Sequence, residues 1–141
     1  MSPEKDAYLC EKYPKIFVNR NSTPMESCMY WGFEINDGWF HIIDNACSLM
    51  QSHINWRNKQ HDKAVSDGAS EVPEPCSQVI AEQIKEKFGT LRFYTSGGDD
   101  YTDGVIRMAE AMSGSTCETC GNPGTTGGKG WIKTACEEHH K

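Results

Sequence analysis

Two closely spaced pairs of metal-binding residues near the C-terminus constrain the fold of this chain more than any other feature. Cys117 and Cys120 form the first pair, Cys136 and His139 form the second, and fifteen residues separate the pairs. Each pair has the spacing with which a tight turn presents two ligands to a tetrahedral Zn²⁺. The glycine-rich segment 121–130 cannot build a core of its own, so a metal ion would be needed to order it. The pattern predicts a zinc knuckle or ribbon with one structural zinc ion per chain.

Two questions about this site stay open on the sequence alone. His140 follows His139 directly, and only the spacing from Cys136 favours His139 as the fourth ligand. A redox role for the Cys117–Cys120 pair and a segment without metal are the alternatives to zinc. If zinc binds, four protein ligands complete its coordination, and the site has no open position for water or substrate.

The bulk properties of the chain fit one small domain with a metal-binding appendix. With 141 residues, 37% of them hydrophobic, the chain can bury one core. We predict an α+β domain over residues 1–113 and a zinc-binding segment over 114–141. The net charge of −6 argues against a general nucleic-acid-binding protein, which normally carries a basic excess.

The sequence also predicts the compartment and the state of the remaining cysteines. The N-terminal segment 1–6 is polar, without the apolar stretch of a secretory signal, and no run approaches the ~18 apolar residues of a membrane span. We therefore expect a cytoplasmic protein with reduced thiols. Four widely spaced cysteines are typical of buried free thiols: Cys10, Cys28, Cys47 and Cys76. A second metal site built from these thiols with His41 or His53 is the alternative.

Hydrophobic periodicity predicts both helices and strands in the first domain. The polar stretch 57–74 predicts an exposed loop or a disordered insertion. The order of the elements indicates the α+β class: a small antiparallel sheet with two or three amphipathic helices and a C-terminal zinc knuckle or ribbon. The predicted elements are strands over 31–35 and 91–95, helices over 39–57 and 77–88, and a short third helix capped by Asp103.

Two of the predicted helices carry apolar stripes that we expect to face the core. The stripe of the 39–57 helix comprises Ile43, Cys47, Met50 and Ile54. The stripe of the third helix comprises Val105, Met108, Ala109 and Met112.

A candidate binding surface lies on the second predicted strand. Arg92 and Tyr94 share one strand face, and Lys87 precedes them at the end of the preceding element. If this face is exposed, these residues could contact a partner, whereas a cross-strand pair between Arg92 and Glu34 is the structural alternative. Trp131 could stack on a base or pack against the zinc turn.

No catalytic motif is complete in this chain. None of its five histidines is followed two positions later by glutamate, as a zinc deaminase requires. The glycine-rich stretch around Lys129 lacks the remaining residues of a phosphate-binding loop. The carboxylates of Asp99, Asp100 and Asp103 could hold a divalent cation, or form a solvated loop that leads into a helix cap. The sequence therefore favours a protein that is not an enzyme.

Three stretches of the chain carry a family resemblance: Trp31-Gly32-Phe33 with Asp37-Gly38-Trp39, Glu86 to Tyr94, and Cys117 to Gly124. In these stretches the chain resembles a family of small accessory proteins of tailed bacteriophages and prophages. The family has no established activity that the resemblance could imply for this chain. The resemblance covers nearly the whole chain except the polar stretch 57–74.

The resemblance implies a viral protein that works in the cytoplasm of a bacterial host. Genes of this kind commonly encode host-takeover or anti-defence factors, which bind a host protein or sequester a small signalling molecule. A nucleic-acid-binding zinc-ribbon regulator is the alternative that the zinc motif suggests. The positive and negative charges around the motif nearly cancel, so nucleic-acid binding there would release few counterions and gain little affinity from them.

Overall fold

Three helices and two small sheets make up the structure, a computed structural model that describes residues 1–141. Short 3₁₀ turns connect the first helix to the first strand and that strand to the second helix. This is the predicted α+β class. In chain order the elements are α1 (Pro3–Lys12), β1 (Phe33–Glu34), α2 (Phe40–Ser66), β2 (Ile80–Lys87), β3 (Thr90–Ser96), α3 (Asp100–Ser113), β4 (Thr125–Gly127) and β5 (Lys133–Ala135).

The main sheet is mixed rather than wholly antiparallel. β2 is its central strand and pairs in parallel with β1, where Phe33 lies opposite Ile84. On its other side β2 pairs antiparallel with β3, where Ile84 lies opposite Phe93. The parallel pair arises because α2 and the segment after it carry the chain from β1 across to β2, which a tight hairpin could not do. The second sheet is the small antiparallel hairpin of β4 and β5.

The core lies between α2, α3 and one face of the main sheet. The predicted stripe of α2 is confirmed, since Ile43, Cys47, Met50 and Ile54 are all at most 2% exposed. Apolar side chains of β2 and β3 meet this stripe in one continuous cluster. α2 is therefore held by burial of one apolar face rather than by its polar C-terminal half.

The predicted helix over 77–88 is wrong, because this segment forms strand β2. Ala81 and Ile84 are both buried although they lie three positions apart, a spacing that resembles a helical one. The strand achieves this with a bulge between Ala81 and Gln83, where one extra residue shifts the register. Phe88, the last residue of the predicted helix, is 68% exposed in the turn between β2 and β3.

Three other predicted boundaries also differ from the structure. α2 continues through half of the stretch 57–74, which we predicted as a loop, and ends at Ser66 before a left-handed Gly68. The strand predicted over 31–35 is reduced to Phe33–Glu34, because Trp31 belongs to a 3₁₀ turn. α3 begins before Asp103, with Asp99 as its cap.

α3 buries a different face from the one its apolar stripe predicts. Within the stripe, only Ala109 is fully buried, whereas Met108 is 63% and Met112 is 49% exposed. The buried positions of this helix are Thr102, Ile106, Ala109 and Ser113. α3 thus has a second apolar face that the core does not cover.

Candidate functional site

The C-terminal cysteines and His139 come together in one cluster. Cys117 and Cys120 lie in the turn after α3, and Cys136 and His139 lie in the turn after β5. The Cys117 Sγ lies 3.5 Å and the Cys136 Sγ 3.1 Å from the His139 Nδ1, and the Sγ atoms of Cys120 and Cys136 are 3.8 Å apart. All four ligand atoms lie within 4.8 Å of one another, so the cluster could hold a metal ion.

Two of these separations, 3.5 Å and 3.8 Å, are close to the edges of a tetrahedron around zinc, and the third, 3.1 Å, is shorter than such an edge. With Zn–S bonds of about 2.3 Å and Zn–N bonds of about 2.05 Å, tetrahedral ligands lie about 3.8 Å apart for two sulfurs and about 3.6 Å for sulfur and nitrogen. His140 does not enter the cluster, because its Nε2 lies 2.9 Å from the carbonyl oxygen of Thr125. The geometry therefore selects His139 as the fourth ligand.

Backbone hydrogen bonds shape both ligand turns. In the first, the Gly121 N–H donates to the Cys117 carbonyl, and Gly121 takes a left-handed conformation with φ of 81°. In the second, the N–H groups of His139 and His140 both donate to the Cys136 carbonyl. The backbone of both turns thus helps to bring the side chains of the cluster together.

The electrostatics of the first turn favour a thiolate. Burial raises the pKa of Cys117, but the backbone N–H groups of Cys136, Cys120 and Thr119 outweigh it and lower the pKa to about 6. A cysteine with this pKa is largely ionised at neutral pH, and the thiolate is the form that binds a metal.

The metal-binding segment docks on the main domain through the turn before α2. The Gly38 N–H donates to the carbonyl of Glu118 over 2.7 Å, and the Trp39 indole N–H donates to the carbonyl of Thr116 over 2.8 Å. The Glu118 carboxylate accepts the Asn36 N–H, and burial raises the pKa of this glutamate. Glu118 is thus a docking residue within the turn that carries Cys117 and Cys120.

The predicted binding surface is distributed over two places. The strand register puts Lys87, Arg92 and Tyr94 on one face of the β2–β3 pair. The Arg92 guanidinium donates to the Thr90 hydroxyl and to the Leu91 carbonyl, and it forms no ion pair with Glu34.

The fourth residue of that predicted surface lies elsewhere. Trp131 is 76% exposed, so little of its side chain packs against the rest of the chain. It lines a depression together with Glu34, Glu86 and Glu118, whereas Tyr94 lines a different one with Met25 and Gln83.

A groove with a volume of about 580 Å³ runs between α2 and α3. None of the sixteen residues that line it is Asp, Glu, Lys or Arg, in a chain with 24% charged residues. The partly exposed apolar side chains of Leu49, Met108 and Met112 line it, and the rim on one side consists of Cys120, Gly121 and Asn122. The apolar stripe of α3 was the sequence signal for this groove, but the stripe alone predicts a core face.

A second cluster of metal-binding side chains lies beyond the groove. His53 of α2, Cys76 of the segment before β2 and Asp99 at the cap of α3 place their ligand atoms within 4.8 Å of one another. The His53 Nε2 lies 2.7 Å from the Asp99 carboxylate, and the His53 ring stacks on Tyr101 with centroids 4.1 Å apart. The sequence suggested a second metal site that combines a thiol such as Cys76 with His41 or His53 as an alternative, but it placed Asp99 in a separate carboxylate group, because no motif joins the three residues along the chain.

Comparison with known proteins adds no family to this description. No protein-family model, no curated protein and no solved structure matches the chain. No helix in the structure combines the length and the apolar character that crossing a bilayer requires. The function must therefore be argued from the geometry of the clusters and the groove.

Proposed function

We propose that this chain is a non-enzymatic binding protein, a bacteriophage accessory protein that engages a host protein in the bacterial cytoplasm as a host-takeover or anti-defence factor. A structural zinc ion holds its C-terminal segment in place. The observation that carries this proposal is the uncharged groove between α2 and α3. The phage origin rests on the resemblance of the sequence phrases around Trp39, Phe93 and Cys117.

The groove has the properties of a recognition surface for an amphipathic helix. Exposed apolar patches on a monomer usually mark interaction sites, and a groove between two helices suits the apolar face of a third. Leu49 and Met108 offer flexible apolar contacts, and methionine adapts well to different partners. Gly104 in α3 has no atom within 4 Å of where a Cβ would lie, so a partner could approach the helix backbone there.

The zinc ion acts through the rim of the groove. Cys120 is both a ligand in the C-terminal cluster and a lining residue, and Gly121 and Asn122 follow it directly. Ordering of this turn by the metal fixes one side of the groove before a partner arrives. Such preorganisation raises affinity because less conformational entropy is lost on binding.

A small signalling molecule is the second occupant that this groove could take. Its volume lies within the range of small-molecule pockets, about 300–1,000 Å³. The absence of lysine and arginine from the lining disfavours phosphorylated molecules, and it equally disfavours the nucleic-acid-binding alternative, which needs phosphate contacts. A host protein with an apolar helix fits the groove better than either.

The test compares two surface variants as bait in bacterial cytosol. Met108→Asp places a charge in the groove, and Val65→Asp places the same charge on an exposed residue of α2 outside it. We expect the wild type and Val65→Asp to retain the same host protein, and Met108→Asp to retain at least tenfold less. The captured protein is then purified and its affinity for each variant is measured directly. Equal affinity for all three would place the binding site outside the groove and refute the proposal.

A further inference from the structure

We propose that His53, Cys76 and Asp99 form a second zinc site, with three protein ligands and an open fourth position. Their ligand atoms lie within 4.8 Å of one another, although the residues come from three separate parts of the chain. Imidazole, thiolate and carboxylate are the three side-chain types that bind zinc in proteins. Three protein ligands with one free position is the arrangement of open zinc sites, whereas the C-terminal cluster is closed.

Each of the three ligands is held by a contact outside the cluster. The His53 ring stacks on Tyr101 with an interplanar angle of 17°, which fixes its orientation. Asp99 uses one carboxylate oxygen to cap α3 by accepting the Thr102 N–H, and its other oxygen points at His53. These supports orient the His53 Nε2 and one Asp99 oxygen toward each other inside the cluster, as outer-shell contacts do in metal sites.

The cysteine is fixed by its backbone. The Cys76 N–H donates to the Asn58 side chain of α2 over 2.9 Å, which ties the segment before β2 to the helix that carries His53. The Cys76 side chain is buried, the His53 side chain is 14% exposed and the Asp99 side chain is 33% exposed. The site is therefore largely shielded, with its opening on the carboxylate side.

The hydrogen bond between His53 and Asp99 is compatible with a metal ion. The proton that they share over 2.7 Å occupies the place where a cation would bridge the imidazole nitrogen and the carboxylate oxygen. Zinc binding at Nε2 would leave the neutral imidazole with its proton on Nδ1 and would displace the proton of the Cys76 thiol, so one proton would leave as the metal enters. A modest separation of the two side chains suffices, because tetrahedral ligands lie about 3.3 Å apart for nitrogen and oxygen.

An unpartnered cationic group next to the cluster indicates the ligand for the fourth position. Arg57 follows His53 by one helical turn on the same face of α2. Its Nε is buried and is the single buried side-chain nitrogen or oxygen in the chain without a hydrogen-bond partner. Such groups are rare, and a bound water molecule or ion is one of the explanations for them. A water molecule or a small anion on the zinc ion would supply an acceptor for the Arg57 Nε.

Metal stoichiometry tests this proposal independently of the groove. The protein is purified with excess zinc, the unbound metal is removed, and zinc per chain is counted by elemental analysis and native mass spectrometry. We expect two zinc ions in the wild type and one in Cys76→Ser and Asp99→Asn. The matched controls, Cys28→Ser and Asp100→Asn, change an exposed thiol and a neighbouring carboxylate outside the clusters and should keep two. One zinc ion in the wild type, or two in Cys76→Ser, would overturn the second site.

A cobalt titration of the wild type keeps the test valid if the variants fail to fold. The metal-free protein is titrated with Co²⁺, and thiolate-to-cobalt absorption is followed. The C-terminal cluster has three thiolates and the second site has one, so two equivalents should bind with absorption changes of clearly different size. Saturation by a single equivalent would refute the second site, even if the C-terminal site were fully loaded.

Discussion

At the scale of single residues, the contact between the two parts of the chain depends on the absence of a side chain at Gly38. A Cβ there would lie 2.1 Å from the Cys117 carbonyl oxygen and 2.5 Å from that of Glu118. Both obstacles are backbone atoms of a metal-binding turn, which cannot move without disturbing a ligand. The residue that permits docking is thus sixty or more positions away in sequence from the segment that docks, and no local motif announces it.

We predict that Gly38→Ala lowers the free energy of unfolding by about 2 kcal/mol or more, because the overlap forces the docked turn away. The matched control is Gly104→Ala, where the added methyl group meets no atom within 4 Å. In the interior of α3 that change should raise stability by about 0.5–1 kcal/mol. Urea denaturation measures both, and equal effects of the two variants would contradict the docking geometry.

At the scale of secondary-structure elements, the type of an element could be predicted only where the spacing of its apolar residues is compatible with a single type. The α2 stripe around Met50 runs over four positions at helical spacing, and the structure buries all of them. The shorter pattern of Ala81 and Ile84 is ambiguous, since a bulged strand buries residues three apart as well as a helix does. The stripe of α3 identified an apolar face correctly, but the sequence could not show that this face lines a groove.

The two faces of α3 provide a stability prediction. Ile106 is 7% exposed and belongs to the core, whereas Met108 lies outside the core on the groove side. We expect Ile106→Ala to cost about 2–4 kcal/mol because it leaves a cavity, and Met108→Ala to change stability by less than about 0.5 kcal/mol. Chemical denaturation of both variants tests this arrangement. If the core face were the one that the apolar periodicity of the sequence indicates, Met108→Ala would lower stability more than Ile106→Ala.

The attachment of α1 to α2 gives a prediction that depends on pH. The Tyr13 hydroxyl lies 2.6 Å from the Asp44 carboxylate, and Lys12 pairs with the same carboxylate. Burial raises the pKa of Asp44, but these two hydrogen bonds outweigh it and hold the pKa below its ordinary value. The stabilisation is therefore complete above the pKa of the unfolded chain, about 3.9, and is lost as the pH falls through the lower pKa of the folded state.

Tyr13→Phe removes the hydroxyl donor and should cost about 1–2 kcal/mol at pH 7, since a hydrogen bond to a charged group is lost. The cost should shrink as the pH falls through the lowered pKa of Asp44, because the protonated carboxyl no longer needs the donor. Thermal unfolding at a series of pH values measures this. A cost that stays constant down to the acid limit would mean that the hydroxyl stabilises the Asp44 carbonyl, 3.0 Å away, rather than the carboxylate.

At the scale of the whole molecule, the C-terminal cluster was the part of the site that sequence predicted best. Ligand spacing is a local property, so Cys117 and Cys136 could be assigned without knowledge of the fold. His53 and Asp99 meet only because α2 and α3 pack together, and the groove exists only because both helices keep an apolar face uncovered. Sites that form only when elements distant in sequence pack together have no local sequence motif from which they could be predicted.

Removal of the metal should loosen the C-terminal segment and leave the main core intact, because the core cluster around Ile84 includes none of the four residues of the C-terminal cluster. The indole N–H of Trp39 reports on docking, since it donates to Thr116 and its ring is fully buried. We expect a chelator to speed exchange of this proton at least tenfold, with little change at the amides of Ile84 and Phe93, and added zinc to restore it. Hydrogen exchange followed by NMR measures the Trp39 indole proton and both amides with the chelator and after zinc is added. The Cys76→Ser variant provides a background without the second site.

The same removal should weaken partner binding, because Cys120, Gly121 and Asn122 form one rim of the groove. If the metal-free protein kept both the slow exchange of Trp39 and its full affinity, packing alone would hold the segment, and the cluster would contribute nothing to recognition. If both were lost together and regained with zinc, the metal would be the element that joins the C-terminal turn to the groove. A zinc titration in which affinity for the purified partner and Trp39 exchange are both measured separates these outcomes. If the metal joins the turn to the groove, both signals must follow a single binding curve.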